Sequence, residues 1–262
     1  MQVSPSIELS AFVRHYLFLN ITKASTLKLR LFSDGNTGIV LNSYPNLVLD
    51  SKPLPEAFLY GQITEFKEVY CQGPAQLSII VFHSHGLARI LNIPASELNN
   101  KVIPLAGLFG DAGAIFQRDM RASGKLSEKI NLMEDFVRKM ADSHPSTGDP
   151  MVAIALDLIQ RHKGVIPIHH LTDIIGCQPR QLERKFISAV GISPKHLCNI
   201  VRVHAFIKLL QSDKKYNLTG FAYDSGYYDQ AHLIRDFRKI TGLTPTQYIR
   251  NSTPLAVNFL QL

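Results

Sequence analysis

Two arginines stand at matching points of a repeated pattern. Arg184 lies within Leu182–Pro194 and Arg235 within Leu233–Pro245. Both segments read Leu-x-Arg-x-Phe, four further residues, Gly, an aliphatic residue, a hydroxyl residue and Pro, at a constant offset of 51. On helical spacing Leu182, Phe186 and Val190 fall on one face, and Arg180, Glu183, Arg184 and Ile187 on another. In the second copy Leu233, Phe237 and Ile240 point one way, while Gln230, Ala231, Ile234, Arg235 and Arg238 point the other. A free helix face of this kind suits the major groove of double-stranded DNA. Arg donates two hydrogen bonds to guanine, Gln pairs with adenine, Glu accepts from cytosine, and an aliphatic group meets the thymine methyl. Arg180, Glu183, Arg184, Gln230, Ala231, Ile234 and Arg235 are therefore the candidate base readers. Lys185, Lys195, Arg202, Arg238 and Lys239 are candidate phosphate contacts, which fix register without reading sequence.

Positioning such side chains needs short helices and tight turns. Gly176 and Gly226 each precede a copy of the pattern, and a short helix precedes each glycine, as in a helix-turn-helix unit. The spacing predicts helices over 151–162, 169–175, 179–190, 194–211, 218–224, 229–240 and 245–251. Ser193-Pro194 and Thr244-Pro245 place a hydroxyl N-cap before Pro at the first helical position, and Asp229 is a further cap. The helix over 194–211 would be about 27 Å long at 1.5 Å per residue. That is compatible with two units entering successive major grooves, roughly 34 Å apart, on one side of B-DNA.

The stretch from Asn217 to Tyr248 resembles the signature of AraC/XylS-type bacterial transcription regulators. With the first copy, the resemblance covers about residues 151–251. It implies two helix-turn-helix subdomains that bind promoter DNA, commonly as a dimer, and activate or repress transcription. RNA polymerase is then an implied partner of an activator, and an N-terminal β-barrel sensor would bind a small-molecule effector. Arg184 and Arg235 occupy the family's arginine position, and Gln230 matches its polar residue at the start of the second recognition helix. Four residues depart from the pattern. Ile234 stands where Ser or Thr is usual, Gln178 replaces a Ser cap, Phe206 replaces an Ala of the linking helix, and Glu183 puts negative charge on the DNA face. The first unit is expected to be the weaker reader, or to read cytosine through Glu183. Some relatives accept methyl groups on a metal-bound Cys near the N-terminus, but no Cys precedes Cys71 here.

Charge supports a division of the chain. The formal net charge is +7 over 262 residues, and after residue 145 basic residues outnumber acidic ones by 14 to 8. A basic half joined to a near-neutral half suits a polyanion-binding module attached to something else. The stretch 142–150 is polar with Pro and Gly, so it reads as a linker. The expected domains are residues 1–144, a linker at 145–150, the double helix-turn-helix domain at 151–251, and a C-terminal tail at 252–262. Before the linker, 27–32, 37–42 and 77–82 are β-like runs with turn signals between them, 86–92 suits a short helix, and 111–141 has amphipathic helical period. The expected fold class is α+β and multidomain. An N-terminal β-barrel or sandwich, cupin-like and flanked by helices, precedes an all-α domain with two helix-turn-helix subdomains. The N-terminal domain would sense an effector or support a homodimer.

Composition excludes several other classes. Hydrophobic residues at 45% and charged residues at 19% are an ordinary globular balance. Cys71, Cys177 and Cys198 are widely spaced with no CxxC, which indicates neither a zinc knuckle nor a disulfide framework and suits a reducing cytoplasm. No apolar run approaches the ~18 residues of a membrane span, and the first residues do not read as a signal peptide. No membrane partner, no cofactor and no enzyme activity are expected, since GxSxG, P-loop and GxGxxG motifs are absent. The rival reading is a metal-dependent cupin-like enzyme. It would use His83 and His85, alternate residues sharing one face of a strand end, with the basic half as an accessory. Metal analysis of the purified protein separates the two readings.

Overall fold

The computed structural model describes residues 1–143, 148–212, 218–256 and 258–262, with the side chains of residues 218, 219 and 251 left aside. Residues 145–147 of the expected linker, and Asn217 at the start of the signature stretch, lie outside the described residues. The strands are β1 (Gln2–Val3), β2 (Val13–Ile21), β3 (Thr26–Leu31), β4 (Thr37–Asn42), β5 (Leu47–Leu49), β6 (Lys52–Pro53), β7 (Ala57–Tyr60), β8 (Lys67–Gln72), β9 (Ala75–Phe82), β10 (Val102–Pro104), β11 (Thr253–Ala256) and β12 (Phe259–Gln261). The helices are α1 (Gly86–Leu91), α2 (Leu105–Ala122), α3 (Leu126–Ser143), α4 (Pro150–Arg161), α5 (Ile168–Ile175), α6 (Pro179–Val190), α7 (Pro194–Ser212), α8 (Leu218–Asp224), α9 (Gln230–Thr241) and α10 (Pro245–Asn251).

Two six-stranded sheets form the N-terminal lobe, ordered β1-β2-β9-β4-β7-β10 and β11-β12-β3-β8-β5-β6. The apolar run Leu77–Phe82 is the central strand β9, paired antiparallel with β2 and β4. Its residues divide by pleat. Leu77, Ile79 and Val81 join the core between the sheets, while Ile80 and Phe82 join the core beneath α1, α2 and α3. Apolar burial on both faces explains why the second half of this strand, Ile79–Phe82, shows no polar alternation. α2 starts earlier than the amphipathic period suggests and is kinked at Gly110, where φ 52 and ψ −132 favour a residue without Cβ.

The helical lobe follows the expected boundaries closely, because its punctuation is chemical. Asp149 caps α4 by accepting from the Met151 N–H at 2.9 Å. Asp229 caps α9 by accepting from His232, and Thr244 forms a capping box with Gln247 on α10. α7 is buried along most of its length, including Leu197, Ile200, Val203, Phe206 and Ile207. A helix this apolar around its circumference needs cover on several sides. The other helices supply part of it, and the N-terminal lobe supplies the rest.

Thr253–Ala256 and Phe259–Gln261, expected to lie in a tail, instead pair as the two strands of a hairpin. β12 pairs antiparallel with β3, Leu260 opposite Arg30, and β11 pairs with β12. Phe32 donates its N–H to Asn258 O at 3.1 Å, and Leu262 donates to Lys28 O at 3.0 Å. Neighbouring residues on β12 face opposite ways, so Phe259 enters the core between the sheets and Leu260 enters the core of the helical lobe. Phe32, from the other end of β3, also lies in the helical-lobe core.

Candidate nucleic-acid interface

Each recognition-type helix is set on its lobe by the apolar stripe that the spacing predicts. Leu182, Phe186 and Val190 of α6 are fully buried, as are Leu233 and Phe237 of α9. Gly176 and Gly226, both at positive φ, make the turns that precede them. Phe206, the departure in the linking helix, meets Phe237 edge to face at 5.7 Å, and Phe237 meets Tyr248 in the same way. The larger residue fills space between α7 and α9 and joins an aromatic ladder.

The opposite faces are open. Arg180, Glu183 and Arg184 on α6 are exposed, and so are Ala231, Arg235, Arg238 and Lys239 on α9. Gln230 and Ile234 are half-buried, and Lys195 at the start of α7 is exposed. Arg184 and Arg235 thus sit at repeat-equivalent places on two accessible helix faces. The connecting α7, of 19 residues, is about 28 Å long. Two of the phosphate candidates are engaged within the protein. Lys185 pairs with Asp149 at 2.7 Å, and Arg202 lies 5.1 Å from the centre of the Tyr227 ring while donating to Asn199 Oδ1 at 3.3 Å. Burial opposes ionisation of Asp149, but its bonds from Lys185 and the Met151 N–H outweigh that and hold the carboxyl below its ordinary range.

A cavity of about 760 Å³, which the sequence reading does not place, runs from between the sheets to α7. Leu17, Val40, Phe58, Leu77 and Ile79 give it an apolar inner wall. Arg14, His15 and Asp34 from the N-terminal lobe, with Lys163, His204 and Lys208 from the helical lobe, give it a polar end. His204 is nearly enclosed. It stacks on Phe32 at 5.6 Å and its Nε2 lies 2.8 Å from Ser33 O, which assigns the ring proton to Nε2. Burial lowers the His204 pKa, and Arg14 and Lys208 reinforce this against Asp34 and the Ser33 carbonyl. A histidine with a depressed pKa in the folded protein resists a proton that the unfolded chain takes up below its ordinary pKa of about 6.5. Stability is therefore expected to fall as pH drops below that value. His15 and His83 shift the same way, as does His85, pushed down to about 4 by burial. The thermal midpoint should be lower near about pH 5.5 than near about pH 7.5. A midpoint that rose on acidification would show that these rings are not held neutral.

His83 and His85, the pair of the rival reading, have ring centres 6.5 Å apart, and His83 Nε2 lies 3.2 Å from Ser10 O. Among the described residues, no group of three or more His, Cys, Asp or Glu side chains is arranged to hold a metal ion. No helix among the described residues is long and apolar enough to cross a membrane.

Comparison with known proteins agrees with this geometry. A family described as a helix-turn-helix domain matches residues 171–251, which span α5 to α10. Residues 171–251 thus carry a helix-turn-helix domain. A separate family, described as a domain of unknown function (DUF6597), matches residues 1–104. A Staphylococcus aureus protein described as an uncharacterized HTH-type transcriptional regulator is 29% identical over 102 residues, which is 38% of this chain and 13% of that protein. Another, from strain MSSA476, is 28% identical over the same length. This chain therefore spans about an eighth of the length of the curated relatives that it matches. The fold of both lobes together is similar to that of ToxT from Vibrio cholerae, with a TM-score of 0.51 at 12% identity, covering 89% of this chain and 97% of that one. ToxT solved with a bound unsaturated fatty acid gives the same TM-score at 13% identity, covering 89% and 94%.

Proposed function

We propose that this chain is a transcription regulator that reads double-stranded DNA with α6 and α9 and responds to an effector held in the cavity. One observation carries the DNA reading: Arg184 and Arg235 project from exposed faces at equivalent points of two helix-turn-helix units. Arg180, Glu183, Gln230, Ala231 and Ile234 complete the base-facing set. Lys195, Arg238 and Lys239, all exposed, supply cations for phosphates. Lys185 and Arg202 would act mainly within the protein, since each already has a partner. A cytoplasmic location follows from this role.

Salt dependence tests the phosphate part. Affinity for duplex DNA should fall steeply as salt rises, because each neutralised phosphate releases counterions. Lys239→Ala should weaken all duplexes alike and reduce the log–log salt slope by about one. A variant with the parent slope would remove Lys239 from the phosphate contacts.

The effector reading rests on the cavity's two ends. A long apolar wall and a cluster of Arg14, Lys163 and Lys208 suit an amphipathic organic acid, its chain among the leucines and its carboxylate at the cations. ToxT has been solved with ligands of that class, an unsaturated fatty acid and a naphthalenyl-butenoic acid. An effector regulates by binding more tightly to one of the DNA-competent and DNA-incompetent arrangements than to the other.

A further inference from the structure

The internal repeat makes Gly191 and Gly242 equivalent, since they differ by the same offset of 51. Each is the left-handed C-cap of a recognition-type helix, at φ 89 for α6 and 73 for α9. The N-terminal lobe touches both. Asn99 donates its side-chain N–H to Gly191 O at 2.6 Å. A Cβ placed on Gly191 would collide with Asn99 Oδ1 and lie 3.2 Å from Ala95 O. A Cβ placed on Gly242 would lie 2.7 Å from Arg30 Nη1 and 2.7 Å from an edge carbon of Phe66. The two helices thus meet the other lobe at the same point of the repeat, and only glycine allows so close an approach at both.

The residues that make these contacts are themselves fixed. Arg30 is 7% exposed, paired with Glu68 and set 4.6 Å from the centre of the Phe66 ring. Its charge faces the carbonyl end of α9, where the helix dipole favours a cation. Asn99 precedes Asn100, whose N–H donates to Gln62 O at 2.8 Å and whose side chain bonds Thr64 at both its nitrogen and its oxygen. Gln62 is fully buried and donates to Gly35 O at 2.8 Å. Both supports also adjoin the cavity wall. Asn100 and Lys101 line the cavity beside Asn99, and Leu31 lines it beside Arg30. The two supports belong to different sides of the sandwich. Arg30 is on β3 of one sheet, and Asn99 leads into β10 of the other.

We infer that Asn99 and Arg30 are positioning residues that hold the two recognition helices at a fixed spacing, one helix from each sheet. The separation of the sheets then sets the separation of the helices. A molecule filling the cavity between the sheets changes the second through the first. This deepens the effector reading above and rests on it for its purpose, but the clamp itself can be measured without DNA or effector.

The test uses the full chain with Cys177→Ser and spin labels on Ser188→Cys and Lys239→Cys, exposed and repeat-equivalent positions on α6 and α9. Cys71 and Cys198 are buried and stay unlabelled. Pulsed electron resonance should give one narrow interlabel distance. Asn99→Ala combined with Arg30→Met should lose that single narrow peak, while Arg30→Lys in place of Arg30→Met should restore part of it. The methionine keeps apolar contact with Phe66, so the fold has support without the charge. If the double variant fails to fold, Asn99→Ala alone carries the test, since it removes one hydrogen bond and little volume. An unchanged distance distribution in a folded variant overturns the clamp. Failure of duplex binding alone would count against the DNA reading and leave the clamp result standing.

Discussion

Leu260→Ala is expected to destabilise the protein by about 2–5 kcal/mol, although it lies on a three-residue strand two positions from the last residue of this sequence. Its side chain is fully buried in the core of the helical lobe, and its backbone belongs to the sheet of the other lobe. Truncation leaves a cavity that neither lobe can collapse into freely, because β12 is held in register by β3. Gln261→Ala, on the same strand but half-exposed, should cost about 0.5 kcal/mol or less. Denaturant unfolding of the two variants decides the matter. Equal, small losses would mean that the hairpin does not join the lobes.

Arg235→Ala is expected to cost about 1–3 kcal/mol on a cognate duplex and to relax the preference at one base position. Arg235 is exposed on α9, so its loss should leave thermal stability within about 0.5 kcal/mol of the parent. That separation of effects is what distinguishes a base reader from a core residue such as Phe237 beneath it. Competition titrations with cognate and scrambled duplexes measure the difference. An equal fall on both would make Arg235 a phosphate contact.

The helical lobe was legible from particular residues. α6 and α10 match the expected boundaries because Pro opens each helix, and Gly191 closes α6 in a left-handed conformation that side chains disfavour. The stripe Leu182, Phe186, Val190 showed which face would be buried, and so left Arg184 on the other. Strands β4 and β9 were legible as apolar runs between turn residues. The pairing of Thr253–Ala256 with Phe259–Gln261 was not, since three- and four-residue strands carry too little period and Phe259 and Leu260 are both apolar. Partners across the lobes were equally hidden. Nothing local links His204 to Ser33, Asn99 to Gly191 or Arg30 to Gly242, because such contacts depend on how two separate cores dock. The cavity escaped for the same reason. Leu17, Val40 and Ile79 are ordinary strand residues, and only the distance between the sheets makes their faces a wall.

Lys185 shows how a correct helix face can still hold an engaged residue. Its position beside Arg184 suited a phosphate contact, but Asp149, which caps α4 from 36 residues away, takes its ammonium. Arg202 is similar, lying over Tyr227 at the start of the second turn. Both examples follow from Coulomb attraction and stacking at short range, which sequence spacing does not encode.

Selection of bound duplexes from a random library, using the full chain, tests the central claim most directly. Two short preferred blocks should emerge, centred about one helical turn, or about 10 base pairs, apart. Repeating the selection with Arg184→Ala should erase preference in one block, and with Arg235→Ala in the other. Recovery of no preferred sequence, or of the same two blocks from both variants, would contradict the claim that these helices read DNA.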